Sequence, residues 1–440
     1  MTLYSTSSDY AKDTWLPVYN NQFLNDEGSL LKQIGMNWDA PVRIEGRNAY
    51  MKLQVGEDLG FGVIRSPGGD FATPGDISSD EATLSLMHFN STIQVDGHEK
   101  ALLNSLDAAA APKIMAKKMS ASRMRVMREL ERIAIMDGTG ILAKEASDST
   151  LDLVLDVAGA EYPERNPYTW IDDVNRSRYS LVHPTTGADQ VESFTVSAIV
   201  ESTNTLTCST SVGAGAAGSV VVTHYGASQW AVGGAFSSPE FPGLLGMIDD
   251  DNTYLGLNRS TAALGFWKAV VDGNSGTNRA FTETLAMQIL SKLARRCDGG
   301  QASPTDHFGL ASFGTWNSYH ELMSPGIRYT VAETPDIGWG GRESLPMHGI
   351  KLYKHIKAPR NTVLIVHRPS THFCTAKGAN GGMFNFEEGS NGIWFQKTAA
   401  SGQGYADAQL ATITGWLGMY SDKPRNNARL DDLTETAGSY

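Results

Sequence analysis

The feature that most constrains this sequence is one long helical pattern at residues 112–136. Pro112 suits the first turn, and Gly138 and Gly140 are stop signals. At about 1.5 Å per residue the helix is roughly 35 Å long, enough to cross a whole domain. Spacings of three and four residues place one set of side chains on a narrow face: Met115, Met119, Ser122, Val126, Leu130 and Ile133.

Other side chains of this helix lie off that face. Apolar residues away from the main stripe (Ile114, Met124 and Ile135) predict burial on more than one side, as in a strut with sheet packed around it. The roughly opposite face is basic, which gives the chain its densest local positive charge. Its cations are Lys117, Lys118, Arg125, Arg128 and Arg132.

The overall charge excludes one class of function. A net charge of -12 makes non-specific affinity for nucleic acid unfavourable for the chain as a whole, so any polyanion contact needs a local basic surface. The length of 440 residues predicts one large mosaic domain or two to three smaller ones.

The cysteine content and the hydropathy of the sequence predict the cellular compartment in which the protein is made. The three cysteines are far apart and form no CxxC pair, so we expect neither a disulfide framework nor a cysteine metal site. Residues 1–20 have no signal-peptide pattern, and no apolar run approaches the roughly 20 residues of a membrane span. We therefore expect a soluble protein made in a reducing cytosol.

The first 41 residues read as an extended arm. They are rich in Asn, Asp and Ser but also carry scattered aromatic side chains, among them Trp15, Tyr19 and Phe23. Such a segment is expected to dock on a surface. The sequence leaves open whether that surface belongs to its own chain or to a neighbour.

An acidic loop follows between strand patterns. Residues 50–55 and 83–86 predict strands, with a third at 91–95. A loop of about 25 residues between the first two is uncommon unless it is functional or disordered, and we interpret it as the tip of a two-stranded arm that contacts a partner. Its charged residues are Glu57, Asp58, Arg65, Asp70, Asp76 and Asp80.

The rest of the chain interleaves strands and helices. Residues 150–235 form a β-rich block, with strands predicted at 151–157, 194–200, 206–208 and 220–223. A helix is predicted at 282–297, and a strand at 308–313 is followed by a short helix and a loop at 324–345. Later strands are predicted at 363–366 and 411–420.

No catalytic or cofactor motif is convincing. The GxGxxG match at 213–218 is followed by a strand-like run rather than a helix, which favours a hairpin turn. The acidic run at 249–252 lacks EF-hand order and reads as a solvated turn. His367, His372 and Cys374 have no apparent fourth ligand for zinc and read as a strand-end loop. We expect no cofactor, no metal and no enzymatic activity.

The order of these parts resembles the α+β fold of HK97-like major capsid proteins of tailed double-stranded DNA phages. The resemblance rests on the arm, the extended loop, the long helix, the Glu240-Phe241-Pro242-Gly243-Leu244 turn, the helix after it and the last strand. It implies an N-terminal arm at 1–44, an extended loop (E-loop) at 45–96, and a spine helix and peripheral domain at 97–149 completed by 400–435. A β-rich insertion would occupy 150–235 and an axial domain 236–399.

By that resemblance the chain is a structural protein of the virion. Subunits would assemble in the host bacterial cytoplasm into pentamers and hexamers that close an icosahedral shell around double-stranded DNA, bound non-specifically. Implied partners are further copies, a separate scaffolding protein, a portal and a decoration protein. The acidic loop and the basic helix face would make intersubunit contacts, and Trp339 and Arg342 would lie near the capsomer axis. Residues 56–80 contain no Lys, so we expect no isopeptide cross-link from this loop.

Two alternatives remain open at this level. An encapsulin-type compartment shell has the same fold and encloses an enzyme cargo, although such chains have less elaboration. A mixed α/β enzyme would need a pocket of perturbed titratable groups, which the sequence does not display.

Overall fold

The structure is a computed structural model that describes residues 43–54, 79–96, 111–156, 177–200, 203–212, 218–226, 229–297, 305–327, 344–376, 384–386, 395–398 and 405–435. Several predicted contact residues lie outside the described residues. They are Trp15, Tyr19 and Phe23 of the arm, Glu57, Asp58, Arg65, Asp70 and Asp76 of the loop, and Trp339 and Arg342.

The α-helices of the described residues are α1 (Ala111–Ile135), α2 (Leu244–Met247), α3 (Glu283–Arg296) and α4 (Phe313–Ile327). The predicted helices at 112–136 and 282–297 are confirmed to within a residue at each end. Thr282 caps α3, because its hydroxyl accepts a hydrogen bond from the backbone N–H of Leu285 at 3.2 Å.

The first ten strands, in chain order, are β1 (Arg43–Glu45), β2 (Asn48–Gln54), β3 (Ser79–Ser85), β4 (Met87–Asp96), β5 (Ile141–Asp148), β6 (Asp152–Leu155), β7 (Tyr179–Val182), β8 (Asp189–Phe194), β9 (Val196–Val200) and β10 (Thr205–Cys208). The next eight are β11 (Val220–Thr223), β12 (Ala231–Val232), β13 (Ala235–Phe236), β14 (Thr253–Tyr254), β15 (Leu257–Asn258), β16 (Val270–Asp272), β17 (His307–Ala311) and β18 (Ser344–Met347). The last seven are β19 (Ile350–Lys354), β20 (Val363–His367), β21 (Thr371–Thr375), β22 (Phe384–Phe386), β23 (Phe395–Thr398), β24 (Tyr405–Ser421) and β25 (Ala428–Leu430).

The chain divides into two compact units. The first comprises Met1–Ala49, Ser85–Arg132 and Phe373–Met419, and the second comprises Tyr50–Leu84, Ile133–His372 and Tyr420–Tyr440. Both units are assembled from segments distant in the sequence. This agrees with the interleaved organisation that the sequence predicts.

In the first unit, α1 packs on a sheet built around β24. The 17-residue strand β24 pairs antiparallel with β4 on one side and with β22 and β23 on the other. The hydroxyls of Ser91 on β4 and Ser122 on α1 lie 2.7 Å apart, which identifies the face that α1 covers. Ile93 and Val95 share that face, since strand side chains alternate, and both are buried.

The apolar stripe of α1 is confirmed where burial is described, because Met119, Val126 and Leu130 are buried. Burial on more than one side is confirmed for Ile135, in the second unit, but wrong for Met124, which is 57% exposed. The helix is therefore enclosed toward its C-terminus and open at its middle turns.

The second unit contains the β-rich block as a seven-stranded antiparallel sheet. Its strand order is β8-β7-β11-β5-β6-β10-β9. The sheet begins at Ile141, earlier than the predicted block, and the strand predicted at 194–200 is divided at Thr195. One face buries an apolar cluster that includes Leu142, Leu153 and Leu181.

A mixed six-stranded sheet, in the order β16-β25-β20-β17-β19-β18, forms the other core of this unit. Strand β17 runs parallel to β19 and antiparallel to β20. Leu285, Ile289 and Leu293 of α3 and Trp316 and Tyr319 of α4 belong to the apolar cluster on this sheet.

Two predictions in this region are corrected. The strand at 308–313 ends at Ala311, because the Ser312 hydroxyl accepts from the Thr315 N–H at 3.2 Å and starts α4. The predicted loop at 324–345 includes the end of α4 and the start of β18. Residues 428–430 form β25, which lies between β16 and β20 in this sheet.

Candidate assembly surfaces

The predicted basic face of α1 is only partly a surface. Lys117 and Arg125 are exposed, and Lys118 donates from Nζ to the Gln94 carbonyl at 2.6 Å. Arg128 is half-buried. Arg132 is 1% exposed and donates from Nε to Glu129 Oε2 at 3.0 Å, so including it in an exposed face was wrong. The last turns of α1 are buried, and a cation there is held by a carboxylate one turn earlier.

The predicted two-stranded arm, called the ribbon below, consists of β2, β3 and the loop between them, and its base lies in the second unit. Strands β2 and β3 are hydrogen-bonded neighbours, as predicted. Met51 and Leu53 of β2 and Ala82 and Leu84 of β3 are buried, whereas Asp80 is exposed at the start of β3. The ribbon base is fixed to the body of the unit, since the Thr83 N–H donates to the Leu255 carbonyl at 3.0 Å.

The Glu240–Leu244 turn lies against the C-terminal end of α1. A Cβ atom on Gly243 would lie 2.3 Å from the carbonyl oxygen of Ile133 and 2.5 Å from that of Ala134. A Cβ atom on Gly138, which has a φ of +87°, would lie 2.8 Å from the Cα atom of Pro242. Glycine is required at both positions because a side chain would collide with backbone atoms.

A buried arginine organises the acidic turn at 249–252. Arg259 is fully buried and donates from Nη1 to the Asp249 carbonyl at 2.6 Å and from Nη2 to the Met247 carbonyl at 2.7 Å. Its guanidinium lies 4.4 Å from the centre of the Tyr254 ring. Burial lowers the pKa of Arg259 and raises the pKa of Tyr254 to about 12. No sequence signal distinguished Arg259 from a surface cation.

The carboxylate of Glu435 anchors the end of the described chain. It accepts hydrogen bonds from the hydroxyls of Ser312 and Thr315, from Arg360 Nε at 3.2 Å and from the backbone N–H of Asn361 at 3.0 Å. Its side chain is 3% exposed. This residue was also missed, because its partners are 74 to 123 residues away in the sequence.

The motifs that the sequence left as weak ligand candidates have other partners here. His367 Nδ1 lies 2.9 Å from the Ser370 hydroxyl, His372 Nε2 lies 3.8 Å from Asp422 Oδ2, and burial raises the pKa of Cys374 to about 11. Within the described ranges, no three His, Cys, Asp or Glu side chains are grouped so as to hold a metal ion. Strand β11 begins at Val220, so a strand and not a helix follows the GxGxxG match. The hairpin interpretation is wrong, because β10 pairs with β6 and β9 whereas β11 pairs with β5 and β7. Residues 213–217 lie outside the description.

Strand β5 carries two acidic residues, Glu145 and Asp148, that the sequence analysis also missed. Glu145 is 2% exposed, and burial together with the nearby Asp148 raises its pKa to about 7. The alternating pattern of a strand does not predict that these two carboxyls, three positions apart, lie on the same face.

In the part of the chain that is described, no helix has the length and apolar character of a membrane span.

The comparisons with known proteins show a similarity of fold. No family model matches the sequence, and no characterised protein matches it. Among solved structures, the chain is similar to a cyanophage A-1(L) capsid subunit, with a TM-score of 0.51 and 11% identity over 93% of this chain and 94% of that one. It is also similar to a native GTA particle capsid, with a TM-score of 0.42 and 9% identity over 92% of this chain and 90% of that one. A third similar structure is the holo-SrpI encapsulin complex of Synechococcus elongatus, with a TM-score of 0.41 and 8% identity over 90% of this chain and 85% of that one.

The chain therefore has the fold of a phage capsid subunit, as the order of its parts predicted. At this identity the similarity concerns fold alone. The division into arm, extended loop, insertion and axial domain stays a prediction.

Proposed function

We propose, from the capsid fold that this chain shares over nearly its whole length, that it is a structural major capsid protein. Subunits would form pentamers and hexamers that close an icosahedral shell around double-stranded DNA. The observation that carries the proposal is the two-sided coverage of 93% and 94% with the cyanophage capsid subunit, because it leaves no large unmatched region to supply another function.

The charges of the described residues are compatible with a contact between copies. Asp80 is exposed at the base of an acidic ribbon, and Lys117 and Arg125 are exposed on α1. Opposite charges on the surfaces of two copies favour encounter and fix their register. We propose that the ribbon of one subunit, with Asp70 and Asp76 at its tip, lies on a basic surface of the next.

The arm is proposed to dock on a neighbouring copy through Trp15, Tyr19 and Phe23. Large aromatic side chains are the residues that most often anchor protein interfaces. A scaffolding protein, a portal and a decoration protein are further proposed partners.

Electron microscopy of the purified full chain, with analysis of the particle contents, tests this function. We expect closed shells or rings of five and six subunits, with nucleic acid inside mature particles. Shells that contain protein cargo and no nucleic acid would support the compartment-shell alternative. A monodisperse monomer or small oligomer at high concentration, with the arm packed on its own chain, would contradict both shell functions.

A further inference from the structure

Strand β5 contains a bulge that brings two carboxylates onto one face of the seven-stranded sheet. In a regular strand, positions 145 and 148 point to opposite faces, since side chains alternate. Here Glu145 pairs with Leu155, Ser147 with Val154 and Asp148 with Leu153, so Ala146 is an extra residue. Leu155 and Leu153 are two residues apart and share a face, and their partners Glu145 and Asp148 therefore share it as well.

The Glu145 carboxylate is buried and the Asp148 carboxylate is half-buried. Glu145 is 2% exposed, and neither of its carboxylate oxygens has a hydrogen-bond partner. The Oδ2 atom of Asp148 is also buried and unpartnered. Neither side chain forms an ion pair with any described residue. Both residues lie on β5 where it pairs with β6, and these two strands are in the interior of the sheet rather than at its edge.

Ser219 lies beside Glu145, just before β11, the strand that pairs with the other edge of β5. The N–H of Glu145 donates to the Ser219 carbonyl at 2.8 Å. Burial raises the pKa of the Glu145 carboxyl, the Asp148 charge raises it further and Ser219 lowers it, so both residues act on this carboxyl. Carboxylate, hydroxyl and carbonyl oxygens are thus presented together from two neighbouring strands. This is the donor set that hard divalent cations prefer.

A buried carboxylate beside a half-buried one is costly, because Glu145 loses its hydration and the two negative charges repel each other. We propose that Glu145 and Asp148, with an oxygen of Ser219, form a binding site for a divalent cation, best matched by Ca²⁺. Calcium accepts irregular arrangements of protein oxygens, whereas Mg²⁺ demands a near-octahedral shell and keeps its waters. A bulge is a common means of re-aiming a side chain toward such a site.

Titration calorimetry and thermal unfolding of the full chain, stripped of metal and studied at pH 7.5, test the site. With CaCl₂ as the probe we expect one ion bound per chain. We also expect a rise in the unfolding midpoint of about 5 °C when calcium is roughly 100-fold above its dissociation constant. MgCl₂ should bind at least about tenfold more weakly.

Matched variants separate a cation site from a general salt effect. Glu145→Gln and Asp148→Asn should each weaken calcium binding by about tenfold or more, since each removes a charged ligand. Glu192→Gln, which removes an exposed carboxylate from β8 of the same sheet, should bind calcium like the parent chain.

Two results would overturn the proposal. One is calcium binding of equal strength in the parent chain and in both variants. The other is the absence of any binding heat or midpoint shift in the parent chain. If the Glu145→Gln variant is then the more stable protein without metal, the carboxyl pair holds a proton in place of a cation.

Discussion

The carbonyl oxygen of Ile133, at the end of the long helix, lies 2.3 Å from the position that a Cβ atom on Gly243 would occupy. The two residues are 110 positions apart, yet the turn that contains Gly243 fits the helix end so closely that no side chain is allowed there. The long helix is therefore terminated by a distant segment as well as by its own glycines. This contact accounts for a glycine that the sequence analysis noted only as part of a turn.

Replacing Gly243 by alanine should destabilise the second unit by about 2–3 kcal/mol, because the added methyl group collides with three backbone carbonyls. Urea unfolding followed by intrinsic fluorescence measures the change. The matched control is Gly265→Ala, a position with no atom within 4 Å of the added Cβ, where we expect stability close to that of the parent. Equal stability of the two variants would contradict the tight contact.

Replacing Arg259 by methionine should lower the stability of the second unit by on the order of 2 kcal/mol. The variant leaves the Met247 carbonyl without its donor and removes the stacking on Tyr254, although it also relieves the desolvation of a buried cation. Lysine should not restore stability, because an ammonium cannot reproduce the planar two-pronged contact. Thermal unfolding of both variants beside Lys351→Met, at an exposed position on β19, checks this expectation.

Stability should fall as the pH drops from about 6.5 to about 4. Burial lowers the pKa of both His355 and His367 to about 4, with the Lys357 charge adding to the effect on the first and His307 to that on the second. The unfolded chain then binds more protons than the folded chain in this window, so stability is present above pH 6.5 and lost on acidification.

Each of these two histidines should account for roughly 2 kcal/mol of that loss, after discounting for partial exposure. Unfolding midpoints of His355→Gln and His367→Gln, recorded at pH 7 and pH 4.5, measure the contribution. Each variant should lose less stability between the two pH values than the parent chain does. His348→Asn, at an exposed histidine, is the control and should keep the parent's pH dependence. A parent-like dependence in the first two variants would exclude these groups as its source.

Reversing the charge at Asp70 and Asp76 should weaken assembly more than folding. The double change to lysine places positive charge opposite a basic surface of the neighbouring copy, which costs attraction at low and moderate salt. Particle yield by sedimentation should fall at least about tenfold, while the unfolding midpoint of the unassembled chain stays within about 2 °C. An Asp250→Lys/Glu192→Lys chain carries the same added charge outside the ribbon and should assemble normally. Unchanged yield in the Asp70/Asp76 variant would refute the ribbon contact.

Local patterns in the sequence were enough to predict the elements whose residues depend on near neighbours. The apolar spacing of Met119, Val126 and Leu130 predicted α1, and that of Leu285, Ile289 and Leu293 predicted α3. The alternation through Ile93 and Val95 predicted β4, because helix and strand periods are set within a few residues. The order of those elements also sufficed to predict the capsid fold.

Tertiary structure decided the features that join distant segments. Arg132 is buried although it carries the same charge as the exposed Arg125, and β25 is inserted between strands from elsewhere in the chain. Glu145 and Asp148 meet only because the pairing of β5 with β6 skips a residue. Burial, close backbone approach and register depend on which segments pack together, and the period of a single segment contains no information about its partner.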